Sequence, residues 1–236
     1  MFRSTSWLYG FGLRSYEPMA KWSRNRERRV GAMGVLALLS ALLMPGSTSA
    51  YSASGAASWA DAHWNSCGVA QQYQCFSDDC TAFVSEALHS GGAFPFDTNG
   101  GLIRGDTSDD SQWYESYSSA HNLYWFSYSF VRTKDLRTYQ IVDIPGGIDY
   151  GTHAGTSLAA DSGGSTGDIL FYDWGQGEGY SHSSLIVGYG NTNDGWYGDF
   201  VDAHTNNHLH WFWTLRTNNQ FIQTTTIDVM HVLSTN

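Results

Sequence analysis

Cysteine is scarce in this chain, with three residues among 236, and proline is nearly as rare, with four. No Pro- or Ser-rich linker and no internal repeat divides the sequence. Basic residues are also few: 12 Lys and Arg stand against 22 Asp and Glu, a formal net charge of −10. Their placement matters more than their number. The first fifty residues hold seven of them (Arg3, Arg14, Lys21, Arg24, Arg26, Arg28, Arg29) but only Glu17 and Glu27 of the acids. The rest of the chain therefore has no basic patch with which to neutralise phosphates, which excludes nucleic acid and anionic lipid as expected partners. Long apolar runs are missing too. The run VGAMGVLALLSALLM, at 30–44, is too short for a comfortable transmembrane helix.

That run has a different use. The basic stretch KWSRNRERR precedes it, and Pro45 and the small residues GSTSA follow, with Thr48 and Ala50 at the small-residue positions. Basic region, apolar region and small-residue site in this order describe a secretory signal peptide over residues 1–50, cleaved near Ala50. Met19 is an alternative start, and Arg28-Arg29 raises a twin-arginine route. Removal of the leader leaves a strongly acidic extracellular protein, a charge that favours solubility, with no stable membrane association expected.

Residues 51–236 suffice for one domain with a substantial core. Helical spacing places helices near Ser52–Trp64, where Ala57, Ala60 and Trp64 share a face, after Cys80, where Phe83, Val84, Ala87 and Leu88 recur, and near Thr133–Tyr139. The second half reads as strands: 168–174, 182–190, 198–205, 209–215 and 224–233, each aromatic or β-branched and bounded by Gly or Asn turns. Stretches 91–120 and 146–167 read as loops. Helices first and strands afterwards predict an α+β fold with an antiparallel sheet.

An odd cysteine count in an exported protein points to one disulfide and one free thiol. Cys67 and Cys75 flank a polar, turn-like stretch, so these two are expected to pair and to leave Cys80 free. Cys80 follows Asp78 and Asp79 and opens the helix TAFVSEALH. A thiol at a helix start feels the positive end of the macrodipole, which favours the thiolate, and Cys80 is the candidate nucleophile. The two aspartates are expected to cap the helix, their charge working against the thiolate. A buried cysteine is otherwise just a small apolar core residue.

The segment DDCTAFVSEALHSGG resembles the nucleophile helix of the putative amidase domain family of secreted bacterial proteins. GDILFYDWGQGEGYSHSSLIVGYG is similar to that family's strand–loop–strand, in which a histidine opens the second strand, and DAHT is similar to its following strand. The likeness runs from about Ala57 to His204, departing at Ala82, where the family usually carries asparagine. The resemblance implies a papain-like fold, related to the NlpC-type and CHAP-type cell-wall hydrolases, in which a thiol cuts amide bonds without cofactor or metal. It implies a peptide or peptidoglycan-derived substrate for a secreted, monomeric enzyme.

Thiol hydrolysis needs a nucleophile, a base and a group that orients the base. His182 is the candidate base, expected beside Cys80 as an imidazolium–thiolate pair. For the orienting group two candidates remain open. His204 matches the family's HT, whereas Asp202 sits where NlpC-type enzymes place a third polar residue, and both alternate onto one strand face. Asn206 and Asn207 are weaker choices. Two readings of other classes compete. Asp202, His204, His208 and His210 fall within DAHTNNHLH, and such a cluster can hold zinc, but the spacing matches no strong zinc signature and a surface turn of solvated histidines accounts for it better. The tryptophans at 59, 64, 113, 125, 174, 196, 211 and 213 could serve a glycan-binding module, or simply pack the core.

Overall fold

Ser52 starts the first helix, α1 (Ala53–His63), its hydroxyl accepting the Gly55 N–H at 3.1 Å. Ala56, Ala57 and Ala60 form the buried stripe. The segment that opens at Cys80 forms α2 (Cys80–Glu86), every residue of which is buried, and continues into a π-helical turn over Ala87–Gly91. That turn crosses α1 closely enough that a Cβ on Gly91 would lie 2.4 Å from the Trp59 Cβ, and one on Gly55 would lie 2.3 Å from the Gly91 carbonyl oxygen. Only glycine permits this approach.

A small hairpin follows, β1 (Glu115–Ser118) with β2 (Leu123–Phe126), then the short helices α3 (Tyr128–Val131) and α4 (Thr133–Thr138). The second half is a six-stranded antiparallel sheet of β3 (Gly147–Ala154), β4 (Ile169–Asp173), β5 (Tyr180–Asn191), β6 (Tyr197–Ala203), β7 (His208–Phe212) and β8 (Thr226–Val232). Its order is β3-β8-β4-β5-β6-β7. The fold is α+β, as the order of helical and strand patterns predicts.

Both faces of the sheet are covered, which explains why β4 reads ILFY without polar alternation. Ile169, Phe171, Leu185 and Val187 join the core under the helices. Leu170, Tyr172, Ile186 and Val201 join Phe212, Trp213 and Leu215 on the opposite face. Trp113 and Trp213 are fully buried, so these two tryptophans pack the core rather than offer a sugar platform.

These are features of a computed structural model that describes residues 50–67, 73–103, 105–140 and 147–233. The leader predicted over 1–50 lies, except for Ala50, outside them. Among the described residues no helix is long and apolar enough to cross a membrane. The Cys67–Cys75 disulfide forms and leaves Cys80 free, as expected, and Cys80 is buried. The two predicted loops hold more structure than expected: 91–120 contains β1 and 146–167 contains β3. Both strands are short of buried residues, β3 having only half-buried and exposed positions along GIDYGTHA, so neither carries a strong apolar pattern.

Candidate functional site

Cys80 is the first residue of α2 and is 3% exposed. The backbone N–H of Ser183 on β5 acts on the sulfur in the direction that favours the thiolate. The hydroxyls of Thr81 and Thr133 lie 3.8 and 3.9 Å away, and the thiol reaches Asp78 Oδ1 at 3.9 Å. Thr81 and Thr133 hydrogen-bond each other at 2.8 Å, and the Ser183 hydroxyl donates to Thr81 Oγ1 at 3.3 Å, so a hydroxyl belt holds the sulfur. Burial pushes the thiol pKa up, and the Asp78 charge adds to that. The Ser183 N–H and the two hydroxyls oppose it.

His182 precedes Ser183 on the same strand, and consecutive strand residues leave the sheet on opposite faces. Ser183 reaches α2. The His182 ring packs instead between Tyr172 and Trp174, with centroids 5.4 and 5.6 Å away. Burial, then the neighbouring His208, pushes the His182 pKa down to about 3. His182 pairs with Tyr172 in the regular part of the β4–β5 register, just before a β-bulge at Asp173. No hydrogen bond joins His182 to Cys80; it is Ser183, the next residue, whose hydroxyl reaches Thr81 beside the sulfur. The expected imidazolium–thiolate pair is therefore replaced by two neutral groups, because each is buried more deeply than helix-dipole reasoning assumed.

The His182 ring opens onto a cleft of about 330 Å³, shared with Asp78, Trp174, Glu178, Asn206 and His208. Cys80 lies behind one wall. Asp78 forms that wall, bridging the thiol on one side and the Thr205 hydroxyl on the other, whose Oγ1 donates at 3.0 Å. Thr205, Asn206 and Asn207 all hold positive φ, at 59°, 84° and 37°. Three successive non-glycine residues in the left-handed region are strained, a feature that concentrates at functional sites.

His204 is tied elsewhere. Its Nδ1 meets Asp79 Oδ2 at 2.9 Å, its Nε2 meets the His63 carbonyl oxygen at 3.0 Å, and its ring stacks on Phe83 with centroids 4.1 Å apart. Asp79 thus occupies the N-cap position without capping: its carboxylate is spent on His204, and its N–H donates to Thr205 Oγ1 at 3.2 Å. Asp202 is fully buried and accepts the His210 N–H at 2.7 Å. Neither His204 nor Asp202 hydrogen-bonds His182.

Residues 50–227, most of the chain, match the family described as a putative amidase domain. The chain belongs to this family. Over 138 residues it is also 29% identical to the uncharacterized protein YhbB of Bacillus subtilis strain 168, an alignment covering 58% of this chain and 37% of that one. The chain thus spans well under half the length of this relative. No solved structure matches it.

The amidase domain also brings to its cleft residues that local sequence patterns did not single out for this role. His208, 4% exposed with a buried Nδ1 lacking a partner, stands nearer His182 in effect than either predicted orienting residue. Its place beside DAHT is visible in the sequence, but its place with His182 in the cleft lining is not. Glu178 enters from the glycine-rich GQGEG loop, and Trp174 from the end of β4.

Proposed function

We propose that this amidase domain is a secreted, papain-like cysteine hydrolase that cuts an amide bond in bacterial cell-wall peptides, with Cys80 as nucleophile and His182 as base. The observation that supports the reading is the cleft shared by His182 and Asp78, because Asp78 is the residue that also meets the Cys80 thiol, at 3.9 Å. A neutral imidazole is the form a general base requires. Attack needs the wall between cleft and sulfur to open, and the strained Thr205–Asn207 turn that holds Asp78 in place is the element to release it.

In this reading, a substrate carbonyl enters from the cleft, the sulfur adds to its carbon, and the thiol proton passes to His182. The imidazolium then returns the proton to the departing amine, leaving a thioester that water hydrolyses. The Cys80 N–H, at a first helical position without an intrahelical acceptor, is one donor to the oxyanion. Asp78 and Glu178, with no Lys or Arg among the described lining residues, favour a substrate that carries an ammonium group nearby. Peptides with a free amine fit that charge. His204 serves as a frame, holding the start of α2 through Asp79.

The test is a kinetic cycle on a panel of amine-bearing cell-wall peptides. Cys80→Ala and His182→Ala should each remove turnover while keeping the fold, and the double variant should lose little more than either. Additive losses, or undiminished turnover in either single variant, would refute the pairing.

A further inference from the structure

The histidine-rich stretch after β6 does not act as one cluster. His204 goes to Asp79 and His208 to the cleft, but His210 turns the other way. Its Nε2 lies 2.7 Å from Asp61 Oδ1 on α1, and its backbone N–H donates to Asp202. Asp61, Asp202 and His210 each offer a ligating atom, all within 4.8 Å of one another.

Two carboxylates side by side, one of them fully buried, repel unless something positive is shared between them. Oδ1 of Asp202 is satisfied by the His210 N–H. Its Oδ2 is buried without a donor, although the Asp61 carboxylate lies against the same side chain. The nearest imidazole already spends its Nε2 on Asp61. No Lys or Arg pairs with either carboxylate among the described residues.

We propose that Asp61, Asp202 and His210 bind a first-row divalent cation, Zn²⁺ foremost, which joins α1 to β6 and β7. Ligand atoms on a tetrahedral zinc stand about 3.3 Å apart, given metal–ligand bonds of roughly 2.0–2.1 Å. Asp61 and His210 have side chains 44% and 33% exposed, so both have room to adjust around the fixed Asp202 and to leave a position for water. One imidazole with two carboxylates suits zinc and its neighbours; calcium and magnesium prefer oxygen ligands alone and more of them. The cation bears on architecture: it lies where α1 meets the sheet, and α1's last residue, His63, supplies the carbonyl that holds His204.

A titration of the full-length protein with Co²⁺, followed by displacement with Zn²⁺, tests this directly. One cobalt per chain should bind with the visible absorption of a low-coordinate nitrogen–oxygen site, and Zn²⁺ should displace it and raise the melting temperature. Asp202→Asn and the surface substitution Asp61→Asn should each weaken binding at least tenfold. Because Asp61 is exposed, its variant folds even if the buried one does not. A sulfur-to-cobalt charge-transfer band would place the metal at Cys80 instead, and equal binding by wild type and Asp61→Asn would make it adventitious; either result overturns the proposal. The cysteine mechanism is untouched by these outcomes, since the readout is metal binding rather than turnover.

Discussion

At the scale of single residues, the account turns on how Cys80 is held. A helix start and a nearby imidazole suggest a reactive thiolate, but burial and Asp78 win over the Ser183 N–H and the hydroxyl belt, and the thiol is raised. Alkylation by iodoacetamide should therefore be slow at neutral pH and accelerate with a midpoint above the free-cysteine value of about 8.5. Asp78→Asn removes the opposing charge and weakens the wall, so it should lower that midpoint and speed alkylation severalfold. The rate against pH, measured on both proteins, checks the claim. A wild-type midpoint below that of free cysteine would restore the ion pair expected from the sequence. The identities of nucleophile and base candidates were legible because DDC at a helix start and a histidine heading a strand are local signals. The direction of the His182 ring was not: His182 and Ser183 leave the strand on opposite faces, and the buried run HSSLIV does not say which face meets α2.

At the scale of elements, His204 joins three of them: the end of α1 through the His63 carbonyl, the start of α2 through Asp79, and β6, which it follows. His204→Ala removes two hydrogen bonds and the stack on Phe83 and leaves Asp79 without its partner, a cost of about 2–4 kcal/mol. Urea denaturation should show that loss. Turnover, measured well below the melting temperature, should fall less than tenfold. A drop of several orders of magnitude in a folded variant would instead make His204 the group that orients His182. Elements were read with uneven success for one physical reason. The strands β4 to β8 bury bulky side chains and show it in composition, and α1 and α4 carry plain helical spacing. β3 and the β1–β2 hairpin are short and half exposed, so tertiary pairing rather than local pattern makes them strands. Contacts such as Asp61 with His210, or Asp79 with His204, join residues more than a hundred positions apart and leave no local trace.

At the scale of the whole molecule, buried titratable groups shape stability on both sides of neutrality. Glu86 on α2 and Glu115 on β1 are raised to about 9 and about 7, chiefly by burial. Their folded forms hold protons that the unfolded chain releases near pH 4.3. Their contribution is thus complete below that value and is lost as pH rises through about 7 to 9. His182 acts in the opposite sense. Lowered to about 3, it contributes fully above roughly pH 6.5 and loses that contribution as pH falls toward 3. Urea midpoints across pH should therefore fall on both the acid and alkaline sides, and Glu86→Gln should flatten the alkaline limb. An alkaline limb unchanged by that variant would remove Glu86 as its cause. The central claim, that an amide is cut through a covalent bond to Cys80, has a more direct test. Wild-type protein is quenched with acid during turnover of an amine-bearing cell-wall peptide, and its mass is mapped by residue. The account predicts an acyl group in thioester linkage on Cys80, absent from Cys80→Ala, which should also release no product. Undiminished product release by Cys80→Ala, with no adduct on the wild type, would contradict it.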